Sequence, residues 1–94
     1  MKRTLKLLPD VLTDMDRLEV WLEGRNPRAA NEAAGAIVAG ISSLVEFPER
    51  GRPVGASGLR ELFVRFGQEG YVIQYRVTQH HIVVAHVFHG REQR

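Results

Sequence analysis

Apolar residues in this chain keep one period in the first half and another in the second. Val11, Met15, Leu18 and Leu22 recur at spacings of four, three and four, with Trp21 flanking the stripe. That is the rhythm of an amphipathic helix. Pro9 and Asp10 suit its start, and Asp14 and Asp16 fall in the opening turns, where the helix dipole favours anions. Gly24 stands where a left-handed cap would end it. Asn26-Pro27 pairs a good N-cap with a good first helical residue. The helix it opens carries Ala30, Ala34, Ile37, Ile41 and Leu44 on one stripe, widened by Ala29, Ala33, Val38 and Val45. So many alanines permit close approach, which predicts an antiparallel helical hairpin with a short connection. Gly35 and Gly40 each weaken this helix by about 1 kcal/mol, a cost consistent with backbone contact against another element. Phe47-Pro48 ends it, because a residue before proline avoids the helical region.

Beyond the loop 49–58 the period becomes two. Leu62, Val64 and Phe66 share one parity and Glu61, Phe63 and Arg65 the other. Tyr71, Ile73, Tyr75 and Val77 alternate with Val72, Gln74 and Arg76 after a turn at 67–70. A further turn at 78–80 leads to the strand 81–88, and residues 3–8 alternate weakly as a first strand. The order β-α-α-β-β-β predicts an α+β fold, a helical hairpin packed on a mainly antiparallel sheet. No repeat or linker interrupts it, so residues 1–94 are read as one domain.

Composition narrows the class. There is no cysteine, hence no disulfide framework or thiolate metal site. The N-terminal apolar run is cut by Lys6, Pro9 and Asp10, too soon for a signal peptide or membrane span, so a cytoplasmic protein is expected. The net charge of +2 is unevenly spread. Residues 10–49 are acidic, whereas residues 50–94 set seven arginines against Glu61, Glu69 and Glu92. The basic half suits a polyanion or an acidic partner.

Candidate chemistry is sparse. His80 and His81 are adjacent at a turn, and His86 and His89 fall on opposite faces of a strand, so no metal site or other cofactor is expected. His86 reads as a satisfied, half-buried residue. His89 next to Arg91 has the residue types for acid–base work, although a strand-end position accounts for it as well. Ser42, Ser43 and Ser57 have no base beside them in any recognisable motif, and GRPVGASG lacks the lysine and hydroxyl of a phosphate loop. Both helices are acidic or neutral, which argues against sequence-specific DNA reading by the chain alone. Arg50, Arg52, Arg60, Arg65, Arg76 and Arg91 are the surface candidates. Arg60 and Arg65 have opposite parity, so one is expected to anchor structure, pairing with an acid of the helices, and the other, Arg65, to face outward.

The segments FPERGRPV, GLRELFV, GYVIQYRV and HVFHGRE, following an acidic helix and NPRAANEAAGAIVAGISSL, resemble in order and spacing the RelE/ParE superfamily of toxins from type II toxin–antitoxin modules. The likeness spans nearly the whole chain and is nearest the ParE-like branch. It implies a toxin neutralised by a cognate antitoxin in a hetero-oligomer, with Pro48, Gly51, Arg52, Arg60, Glu61, Tyr71 and Tyr75 as the structural motif. RelE-like members are ribosome-dependent mRNA endonucleases, and their pattern places arginine after Gly-Tyr, where this chain has Val72; their late tyrosine is also missing. The resemblance therefore implies inhibition of DNA gyrase without catalysis, as in plasmid stabilisation and stress modules. A RelE-like nuclease using His89 and Arg91 and a non-toxic interaction module are the alternatives. Target contacts are expected at Arg65, Arg76, His89 and Arg91, and antitoxin contacts in a hairpin groove at Leu18, Trp21, Leu22, Ile37 and Ile41.

Overall fold

The computed structural model describes residues 2–23, 26–67 and 69–92, with the side chains of residues 21–23 excepted. Its elements are β1 (Thr4–Leu7), α1 (Pro9–Glu23), α2 (Pro27–Glu46), β2 (Arg52–Val54), β3 (Leu59–Phe66), β4 (Glu69–Val77) and β5 (His81–His89). The strands form one sheet in the order β1-β5-β4-β3-β2. β1 runs parallel to β5, and the other pairings are antiparallel. The expected α+β architecture holds with one more strand than the alternation predicts. Pro53 hid β2, because proline cannot donate to a ladder, yet the strand is at the sheet edge and Pro53 faces Arg60 without needing a donor. Gly70, expected in the turn, lies inside β4.

Both helices press their stripes onto the sheet. Asn26 caps α2 by accepting the N–H groups of Arg28 and Ala29 at 3.1 and 3.2 Å. α2 buries Ala30, Ala33, Ile37, Gly40, Ile41 and Leu44. A Cβ on Gly40 would stand 2.7 Å from a methyl of Val64, so this glycine sets how closely α2 approaches β3. Gly35 faces open space, and its cost to the helix brings no such contact. α1 contributes Val11 and Leu18 to the same core, which continues through Leu62, Tyr71, Ile73, Tyr75, Ile82, Val84 and Val87. Leu18, Ile37 and Ile41 are thus covered by the chain's own sheet. An amphipathic stripe buries itself against the nearest apolar face, so little of these side chains is left at the surface, where Leu18 and Ile37 edge a small pocket between the helices. The side chains of Trp21 and Leu22 lie outside the described residues, as does the Gly24 cap.

Strand β5 carries an irregularity that shapes the site. Gln74 is opposite His86, but Tyr75 is opposite Val84, leaving Ala85 as an extra residue. The bulge lets Ile82, Val84 and Val87 all reach the core, where strict alternation would have sent His86 inward. Beyond β1 the edge of β5 is closed by side chains. Asp14 of α1 accepts the Val87 N–H and Glu92 accepts the His89 N–H, both at 3.0 Å. Among the described residues no helix is long and apolar enough to cross a membrane.

Candidate functional site

The segment after α2 is held by a clamp from the sheet. The Tyr75 side chain is fully buried, and its hydroxyl donates to the Pro48 carbonyl while accepting the Gly51 N–H, each at 2.8 Å. Burial pushes the Tyr75 phenol up, and the Gly51 N–H and the Arg60 charge offset part of that rise. Arg60 donates to the carbonyls of Gly51 at 2.5 Å and Glu49 at 3.3 Å. It anchors structure as its parity predicts, but through backbone carbonyls and not through a helical acid. A Cβ on Gly51 would lie 2.7 Å from the Tyr75 ring and hydroxyl, so only glycine fits this corner. Glu61, buried on the opposite side of β3, takes Gln74 at 2.9 Å and Arg52 at 3.7 Å. Pro48, Gly51, Arg52, Arg60, Glu61 and Tyr75 therefore meet at one end of the sheet. Tyr71 stands apart, packed at a tilt on Phe66 and edge-on to His89. Burial, reinforced by Glu69, pushes its phenol up.

The sheet face turned away from the helices is the larger open surface. The register aligns Phe63 with Val72 and Val72 with Phe88, one residue off the core row of Leu62, Ile73 and Val87. Three strands thus lay an apolar row across the open face. Val72 is only 5% exposed and Phe63 55% exposed. The Phe63 ring leans against Gly70, where an added Cβ would meet it at 2.7 Å. Phe88 stacks under His86, with ring centres 5.4 Å apart and planes at 29°. Beside Phe63 and Val72 an open cleft of about 390 Å³ is bounded by Arg50, Arg52 and Glu61. Arg65 is exposed on the same face, and no ion pair involves it among the described residues. Arg76 is exposed there too, and it braces the turn between β2 and β3 by donating to the Ser57 carbonyl at 2.5 Å.

The C-terminal end of β5 is a second, more crowded site. His89 Nε2 is 2.8 Å from Glu69, and its Nδ1 accepts the Arg91 N–H at 3.3 Å. The latter bond leaves the proton on Nε2, directed at Glu69. Arg91 reaches Glu69 at 2.5 Å, and Arg17 reaches Glu92 at 2.6 Å. Hydrogen bonding to Glu92 raises the Arg17 pKa above its ordinary value. With Leu18 these groups line an open cleft of about 500 Å³. His86 is tied to α1, with Asp14 at 3.2 Å and Asp10 at 3.9 Å, as a satisfied half-buried histidine should be.

The residues expected to contact a target divide accordingly. Arg65 and Arg76 share the open face. His89 is aligned with Tyr71 on the helix-side parity and Arg91 lies past the strand end, so the four do not form one surface. Counting parity across unpaired strands cannot reveal this, because it needs the register. Phe63 and Val72 at non-core parity are the sequence signal of the apolar row, and their alignment with Phe88 follows from the register.

Comparison with known proteins agrees with this geometry. Residues 5–94 match the family model described as the ParE toxin of the type II toxin–antitoxin system parDE. Toxin RelE1 of Caulobacter vibrioides is 46% identical over 81 residues, 86% of each chain. Toxin RelE3 of the same organism is 36% identical over 92 residues, 98% of this chain and 99% of the relative. Among solved structures, the chromosomal ParDE system of P. aeruginosa superposes with a TM-score of 0.80 at 21% identity, covering 94% of this chain and 96% of that one. The RelBE2 toxin–antitoxin complex of Mycobacterium tuberculosis superposes with a TM-score of 0.63 at 21% identity, covering 95% and 99%. The match over almost the entire length, on a helical hairpin packed against a mixed sheet, places this chain in the ParE toxin family of type II toxin–antitoxin systems.

Proposed function

We propose that this ParE-family toxin arrests growth inside the cell that makes it by binding DNA gyrase, and that a cognate antitoxin neutralises it in a hetero-oligomer. The observation that carries the reading is Val72. It follows Gly70-Tyr71, where the RelE-like pattern carries arginine, and it is buried in an apolar row on the open face. A valine there supplies no charge to a phosphate in a cleavage transition state. His89 supports the same reading, because Glu69 and the Arg91 N–H engage its two ring nitrogens. The antitoxin is supported by the two similar structures, which come from toxin–antitoxin systems.

Purified toxin added to gyrase should inhibit supercoiling of relaxed plasmid. Unimpeded supercoiling at a large molar excess of toxin would defeat the proposal. A second reading has its own support, since both Caulobacter relatives carry the name RelE. In that reading, induction produces codon-specific mRNA cuts on ribosomes, visible by primer extension and abolished by His89→Ala.

A further inference from the structure

The row Phe63–Val72–Phe88 has no assigned purpose in the fold. Core residues of β3, β4 and β5 meet the two helices, but this row lies on the face that no other described element covers. Phe63 is half-exposed, so the row keeps apolar surface in water on the face that carries the arginines. Cations flank the row: Arg65 beside Phe63, Arg52 across the cleft, and Arg76 along β4. The carboxylate on this face near the row is that of Glu61, which is buried and held by Gln74 and Arg52.

We infer that this row is a docking surface for an acidic, apolar-bearing segment of a protein. Its aliphatic or aromatic side chain would cover Phe63 beside Val72, and its flanking carboxylates would meet Arg65 and Arg52. The inference deepens the gyrase reading by naming the surface and the chemistry of its ligand. Charge complementarity selects the occupant. A carboxylate accepts a bidentate bond from arginine, and the apolar anchor gains most where apolar surface still meets water, at the half-exposed Phe63. Nucleic acid fits less well. Stacked bases need open ring faces, but Phe88 is already stacked by His86. Addition of a partner strand at the β2 edge is also hindered, since Pro53 lacks a donor there. The partner therefore approaches over the face.

The test compares full-length Phe63→Ser and Arg65→Glu with the wild-type chain and with Arg28→Glu, a control on exposed α2. If the inference holds, each open-face variant keeps its melting temperature but needs about tenfold or more protein to inhibit supercoiling, while the control is unchanged. A photo-crosslinking amino acid at position 63 should then form an adduct with purified gyrase, and an acidic competitor peptide should suppress it. Wild-type inhibition together with full inhibition by both variants overturns this inference and leaves the gyrase reading intact. If the wild-type chain spares gyrase, that reading falls, and growth arrest decides the surface. Arrest lost in both folded variants supports the surface with a different protein target. Arrest retained, or crosslinks at position 63 to RNA in place of protein, overturns it. Should Phe63→Ser unfold, Arg65→Glu and the crosslink decide the question by the same criteria.

Discussion

Arg60 and Arg65 stand on the same strand, yet the two ends of β3 put arginine to opposite uses. Arg60 is turned inward at the corner, where its guanidinium holds the carbonyls of Gly51 and Glu49 beside the buried Tyr75 hydroxyl. Arg65 is turned outward beside Phe63, without an ion pair among the described residues. The corner consumes its polar groups in fixing the chain after α2, whereas the open face leaves charge and apolar area available. A guanidinium is structural or available according to whether acceptors surround it, and β-strand parity decides which. The residues on which the family resemblance rests, Tyr71 apart, gather at this corner and hold the fold together.

The comparison is tested first at its extremes. Ile73→Ala, in the fully buried row, should destabilise the chain by about 2–5 kcal/mol, because the helices cannot collapse into the space. Phe63→Ala, one residue off that row on the neighbouring strand, should cost far less in a denaturant titration. Equal losses would mean the open face is as much a core as the other.

Next in size is the clamp. Tyr75→Phe strands the Pro48 carbonyl and the Gly51 N–H, for about 1–3 kcal/mol. It should also change the alkaline behaviour. Tyr71 and Tyr75 both have folded pKa values raised above the ordinary 10.0, so each contributes stability below pH 10 that is lost as pH rises through its folded pKa. The unfolded chain ionises first and is favoured. Thermal melts of the wild type should therefore fall from pH 10 upward, and Tyr75→Phe should fall less steeply. An identical slope in both would show that Tyr75 does not drive the alkaline loss.

A smaller effect on stability, with a larger one on function, is expected at Arg65. Arg65→Ala should shift stability by no more than about 0.5 kcal/mol while weakening growth arrest. Arg91→Ala removes an exposed pair with Glu69, again worth at most about 1 kcal/mol, and should leave arrest nearly intact because it is not on the open face. Relief of toxicity by Arg91→Ala alone would move the effector surface to the cleft at the end of β5.

Much of this was readable in one dimension. The helix stripes, the Asn26-Pro27 start, the Phe47-Pro48 stop and the parity that turns Leu62 inward and Arg65 outward all follow from local periodicity and steric rules, which act over a few residues. The family resemblance likewise rests on linear order. Other features needed partners that only the fold supplies. β2 became a strand because β3 offered it a ladder despite Pro53. His89 parted from Arg65 and Arg76 because register, displaced by the extra Ala85, fixes which face each strand end takes. Leu18, Ile37 and Ile41, read as a groove, became core once the sheet lay beneath them. The Phe63–Val72–Phe88 row exists only when three strands separated in sequence are laid side by side. Periodicity determines which way a side chain points within its own element; what it then meets depends on long-range pairing, which no local pattern encodes.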